Sequence, residues 1–220
     1  MTGLKLNPMV LVALFVLFRT MAAPALLADD IGDISELRGS ASVIRDQPYN
    51  AVVNFGIQSN DQAITSNGRM AIKFLDESIV RLTEHSKLII DEYVFDPNPS
   101  KAKMALTFGL GTIRFVTGNL NKIDKQNVTL KTPTADIAIR GTMFTATVDE
   151  LGRSLIILLP DALGLSSGEI EVVTATGSVV LNKPYQATTV SVFESAPSKP
   201  VILDLTLDVI DNMLIVSPPE

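Results

Sequence analysis

The sequence predicts an all-β domain built from many short strands, and three observations lead there. Turn signals recur about every ten residues, at Asp46–Pro48, Asn60–Asp61, Ser66–Gly68, Asp76–Ser78, Glu84–Ser86, Asp96–Pro97 and Asn98–Pro99, with β-type runs between them. Several of those runs alternate apolar and polar side chains, the two-residue period of a strand with one buried face. The chain also has no cysteine, so no disulfide framework replaces burial and ladder hydrogen bonds as the source of stability. Pattern alone does not separate a sandwich, a barrel and a solenoid, since all three use short strands at this spacing and no exact internal period is visible.

Ahead of the strands, Met9 to Phe18 form an apolar run behind Lys5, and Arg19 interrupts it well short of the roughly 20 residues that a spanning helix needs. With Ala23, Pro24 and Ala25 next in the chain, this reads as a secretory signal cleaved after Ala25 or after Ala28. A periplasmic or secreted product without an integral membrane span is expected. Residues 1–28 would be the signal, 29–192 the β domain, and 193–220 a linker and C-terminal tail. The signal carries Lys5 and Arg19 and no acid, so its removal takes the net charge from −6 to −8. That sign disfavours a phosphate backbone, and no nucleic-acid partner is expected.

Within the domain, Met70, Ile72 and Phe74 alternate with Ala71 and Lys73, and Leu106 and Phe108 alternate with Ala105 and Thr107. Ile137 and Ile139 begin another alternation, which resumes at Phe144, Ala146 and Val148 after an interruption at Arg140, Gly141 and Thr142. Gly141 reads as the corner between two strands, where glycine permits positive φ or a close backbone approach. Leu155 to Leu159 is apolar on both faces and reads as a covered strand. Beyond the linker-like Ser195–Pro200, Leu207, Ile210 and Leu214 fall at helical spacing before Pro218 and Pro219. A short C-terminal helix or an extra strand fits this last stretch equally.

The stretch Thr132–Val148, with Arg140, Gly141 and Thr142 at its centre, resembles the signature of the FecR domain. Gly56, Thr65, Phe74–Asp76, Leu88–Pro97 and Gly111–Gly118 are similar to further landmarks of that family in the family's order, and Gly177–Leu181 and Gln186–Val190 resemble the chain on the C-terminal side of the domain in many secreted members. The resemblance covers about Gly32 to Val190, and an ordered series is far more specific than one motif. It implies a solenoid-like or rolled β architecture, with a β-sandwich as the alternative. The best-known members are transmembrane regulators that pass the state of an outer-membrane iron-uptake receptor to a cytoplasmic sigma factor. The plan expected here differs, with an exported domain behind a cleaved signal.

Candidate catalytic and ligand-binding residues are few. His85 is the sole histidine and lies in a polar turn, which suits a solvated residue better than a triad member. The adjacent acids Asp76 and Glu77, Asp91 and Glu92, and Asp149 and Glu150 point to opposite faces if on strands, so they read as turn or surface residues and not as a glycosidase pair. Gly109-Leu110-Gly111 lacks the lysine and helix of a phosphate loop and reads as a strand corner. No zinc or calcium spacing is present, and neither metal nor cofactor is expected. Arg140 interrupts an apolar strand with Asp136 four residues back. It is expected to pair with a carboxylate or with carbonyls inside the fold, the other reading being an anionic ligand.

These readings lead to a non-catalytic binding or sensing module of the bacterial envelope, with one envelope protein as the expected partner, its identity unspecified. Recognition would use exposed strand edges or a rim. The rival is a structural or scaffold envelope protein, for which self-association is the mark, and a third reading is a carbohydrate-active β-solenoid enzyme.

Overall fold

The structure is a computed structural model that describes residues 29–96, 102–119 and 128–204. In chain order these form β1 (Gly32–Ile44), β2 (Pro48–Asn50), β3 (Gly56–Ile57), β4 (Gln62–Phe74), β5 (Ile79–Leu82), β6 (Lys87–Val94), β7 (Lys103–Val116), β8 (Val128–Lys131), β9 (Asp136–Arg140), β10 (Met143–Val148), β11 (Ser154–Leu158), β12 (Glu169–Thr174), β13 (Gly177–Leu181), β14 (Gln186–Val190) and β15 (Val201–Ile202). The protein is all-β, with no helix among the described residues. Every strand pair is antiparallel except β7 with β8.

Three long strands, β1, β4 and β7, turn this sheet over on itself. The first half of β7 lies between β6 and β8, and its second half lies between β5 and β10. Likewise β4 pairs with β6 at Gln62–Ile64 and with β5 at Met70–Lys73. Two layers result. One contains β5, β10, β11, β14 and β15, and the other contains β6, β8, β9, β12 and β13. The stacking of Phe74 on Tyr93, with centroids 5.4 Å apart, shows how far the strands bend. On a straight β4, Phe74 would lie about 40 Å from the row where Gln62 meets β6. The architecture is therefore the rolled form among those the sequence suggests.

The bends are written into the apolar pattern. Inward side chains on β7 are Met104, Leu106 and Phe108, then Ile113 and Phe115, so their parity changes across Gly111, where φ is +93°. On β4 the inward set changes from Ala63 and Thr65 to Met70, Ile72 and Phe74 across Gly68. An inserted residue lets a strand turn while the same face stays on the concave side. Both layers then supply one core, in which Leu88, Ile90, Ile137, Ile139 and Val172 share a cluster with the Phe115–Phe144 pair, whose centroids are 5.5 Å apart. The strand β11 is covered: Ile156 and Leu158 enter this core, while Ile157 and Leu159 point the other way into a second apolar cluster.

Two carboxylates at turns that the sequence signals are buried, Asp76 against the turn or surface position expected of it. Asp76 accepts hydrogen bonds from Ser78 Oγ at 2.6 Å and Tyr93 Oη at 3.3 Å, and Ser78 Oγ in turn accepts from Gly118 N. This network ties the β4–β5 turn to the other layer. Burial, and then the Asp76 charge, hold the Tyr93 phenol protonated well beyond the ordinary range. Asp61 is likewise fully buried. Both sites are strand-layer junctions where backbone N–H groups need an acceptor that water cannot supply.

The sheet continues past residue 192, where the sequence placed the end of the domain. Ser198 N donates to Thr189 O, Val201 and Ile202 form β15 against β14, and Leu203 N donates to Tyr185 O at 3.0 Å. An extra strand thus exists ahead of the position expected for a tail helix or strand. The tail beyond Asp204 and the stretch 1–28, expected to be a signal, lie outside the described residues.

Candidate functional site

The sequence-named corner is a packed joint. Gly141 takes φ +60°, a left-handed conformation that suits glycine. Thr142 Oγ1 shares a hydrogen bond with Ser167 Oγ at 2.8 Å, Met143 N donates to the same oxygen, and Thr142 O accepts from Thr117 N. Gly168 presses on this turn so closely that a β-carbon there would lie 2.1 Å from Gly141 O. The corner is held from two sides by backbone contact.

Arg140 projects from the end of β9 between two carboxylates of β12. Glu169 is its direct cross-strand neighbour and Glu171 the next on the same face. Arg140 Nη1 bonds Glu169 Oε1, and Arg140 Nη2 lies 3.1 Å from Glu171 Oε2. The carboxylates come from the neighbouring strand and not from Asp136, which is exposed and stands opposite Val173 and Lys131. Two acids on one guanidinium leave the spot with negative charge, which opposes an anionic ligand. Because the Arg140 side chain is 30% exposed, the pairs are screened. Arg140→Met should cost about 1 kcal/mol, mostly by leaving two glutamates side by side. Thermal melts at low and high salt would check this, and the deficit should shrink as salt rises.

The other sequence candidates are dispersed. His85 is exposed at φ +55° in the β5–β6 turn, its N–H bonded to Ser66 O. Glu77 pairs with Lys73, Glu92 with Lys103, and Asp149 with Arg153, while Asp91 accepts from Thr107. Gly111 is the bend of β7 described above.

A cluster that the sequence did not signal lies on the outer face of the other layer. Cross-strand register sets Arg38 directly opposite Arg69, and Arg81 directly opposite both Ala71 and Arg114. These four arginines, with Glu36, Thr83 and the edges of Leu37, Met70 and Leu82, line an open cleft of about 310 Å³. Glu84 accepts from Arg69 Nε at 2.9 Å and Glu36 from Arg81 Nη2 at 3.2 Å. The lining carries more guanidiniums than carboxylates, on a chain whose net charge is −6. The four residues lie on four strands, and only register brings them together.

The model of the FecR protein family matches residues 61–180, more than half of the chain. The chain belongs to the FecR family. The match includes the Arg140–Thr142 corner, the bend at Gly111 and three of the four strands that line the arginine cleft. No curated protein sequence matches the chain. Two crystal structures from Parabacteroides distasonis, at 2.50 Å and 1.65 Å resolution and each of a chain proposed to be an anti-sigma factor, are similar at 13% and 12% identity. The similarity covers 65% and 64% of this FecR chain and 60% and 58% of the others, with TM-scores of 0.49 and 0.47. The FecR chain thus spans less than two thirds of the length of either.

Proposed function

We propose that this FecR-family chain is an exported, non-catalytic binding or sensing module of the bacterial envelope, with residues 29–192 and the β15 edge as its working domain after removal of the signal. The observation that carries this reading is membership of the family, whose domains are used to recognise envelope partners. The arginine-lined cleft supports it, because its opposed arginines are a charge arrangement that favours an acidic surface brought from outside the sheet. The absence of substrate turnover is part of the proposal. In its support, Asp61 and Asp76 serve as buried acceptors, Glu77, Glu92 and Asp149 each pair with a cation, and Asp91 accepts from a hydroxyl.

Recognition would proceed through the arginine-lined outer face, or by addition of a strand at β13, which pairs only with β12 among the described residues. Crosslinking in intact cells and pull-down with the mature domain should recover one saturable envelope protein. Charge reversal in the cleft should weaken its capture if the outer face is the site, and prolines along β13 should do so if the edge is. Recovery of no partner, with ordered self-assembly of the pure domain, would replace this reading with a structural protein. Glycan cleavage abolished by one carboxylate substitution would replace it with an enzyme.

A further inference from the structure

Ala71 lies on the outer face of β4, since Met70 and Ile72 on either side of it enter the core, yet it is only 2% exposed and belongs to neither apolar cluster. Its two cross-strand neighbours, Glu36 on β1 and Arg81 on β5, reach toward each other across it, with Arg81 Nη2 3.2 Å from Glu36 Oε1. Ala71 is thus the floor of the arginine-lined cleft, and this ion pair spans it. Glu36 owes its position to a β-bulge. Ile34 points inward, and a regular strand would send Glu36 inward as well, but the register shifts between the two, and Ser35 Oγ donates to Ala71 O at 3.3 Å. Beside the same floor, Arg69 is the neighbouring residue of β4 on this face, and Arg38 stands opposite Arg69.

We propose that this cleft is a binding site for a phosphomonoester on a soluble, sugar-sized molecule, which displaces the Glu36 carboxylate from Arg81 and is held by Arg38, Arg69 and Arg81. Glu36 is then a carboxylate of the chain itself that occupies the site until the ligand arrives. The exchange is cheap, because the Arg81 and Glu36 side chains are 44% and 65% exposed and an exposed ion pair contributes little. Arg38 is exposed and makes no ion pair or side-chain hydrogen bond with the described residues, and Arg69 engages Glu84 through Nε, which leaves its Nη groups to the ligand. A phosphate group carries up to two charges and three acceptor oxygens, enough to serve guanidiniums that stand on three strands, whereas a carboxylate forks onto one. The volume of about 310 Å³ is at the small end of ligand clefts, about 300–1,000 Å³, and suits one small molecule. None of the exposed large apolar side chains lines the cleft, so its rim offers nothing that would enter a bilayer, and a lipid headgroup is the poorer source of the phosphate. The ligand is distinct from the envelope partner, and the site stands or falls without one.

Calorimetric titration of the mature protein with glucose 6-phosphate at low salt tests this, and one saturable site is expected. Inorganic phosphate should compete and glucose should not. Glu36→Gln should tighten binding by roughly twofold to fivefold, the effect of removing one exposed ion pair that competes with the ligand. Glu92→Gln makes the same charge change on the other layer and should leave the affinity as it is in the parent. Arg38→Ser with Arg81→Ser should weaken binding by about tenfold or more, with circular dichroism as the check that the sheet is intact. A purely structural Arg81–Glu36 pair predicts a different result for Glu36→Gln, a lower melting temperature with no gain in affinity, and that result overturns the proposal. So do competition by glucose, equal gains from Glu36→Gln and Glu92→Gln, and the lack of saturable binding in both the parent and Glu36→Gln. Capture by phosphatidylcholine vesicles containing phosphatidic acid, without binding of glucose 6-phosphate, overturns it in favour of a membrane surface.

Discussion

Gly111→Val is expected to lower stability by about 3–5 kcal/mol, combining a left-handed backbone that a β-branched residue resists with a clash that no side-chain rotation relieves. A β-carbon at Gly111 would lie 2.7 Å from Ser86 Cα and 2.2 Å from Ser86 Oγ, at φ +93°. Ser86 cannot retreat, since its hydroxyl donates to Thr112 O and accepts from Thr112 N, and its own N–H donates to Thr65 Oγ1. Against a total of about 5–15 kcal/mol for a domain, the loss should show as a fall in melting temperature of roughly 10 °C or as failure to accumulate. Gly109→Val is the internal control. Two residues earlier on the same strand, a β-carbon there meets nothing within 4 Å. Valine suits a strand, so that variant should melt within a few degrees of the parent, about 1 kcal/mol or less. Equal losses at the two positions would remove the argument that the bend of β7 sits at Gly111.

Asp61→Ala is expected to cost about 2–4 kcal/mol, because it removes a fully buried acceptor, leaves the Gln58 N–H without its partner and takes two hydrogen bonds from Arg45. Asp61 is fully buried and receives Arg45 Nε and Nη2 at 2.7 Å each, together with Gln58 N at 2.8 Å. Its backbone is also engaged, Ile90 N donating to Asp61 O. The loop between β2 and β4 is thereby fastened to the β6 layer. Asp61→Asn keeps the shape and one acceptor, so it should fall between the alanine variant and the parent in a urea titration. Arg45 is 29% exposed and packs over Phe55, so Arg45→Met should cost less than Asp61→Ala, its removal leaving a carboxylate that still holds Gln58 N. The reverse order would mean that the pair contributes through the Arg45–Phe55 contact and not through the buried carboxylate.

Asp61 and Arg140 differ in how far their surroundings are legible in the sequence. Arg140 draws attention as a charge in an apolar run, yet its side chain lies partly exposed between Glu169 and Glu171. Asp61 and Asp76 look like ordinary turn residues, yet they are fully buried acceptors at the joints between layers. Local pattern reports which face a strand residue takes. It does not report whether a turn ends in water or beneath another layer, because that depends on where the chain returns many residues later.

The sequence by itself determined the class of fold, the family and the corner at Gly141, because each rests on local terms: strand alternation, turn chemistry and the need of a few positions for glycine. It also held the bends of β4 and β7, in the change of apolar parity across Gly68 and Gly111. Tertiary structure alone decided how the layers meet, which turn carboxylates are buried, and that Arg38, Arg69, Arg81 and Arg114 share one cleft. The physical reason is register. A strand's side-chain period is fixed by its own backbone, but the residue opposite it is set by pairing with distant strands, and a shift of one residue would send each of those arginines to the other face of the sheet.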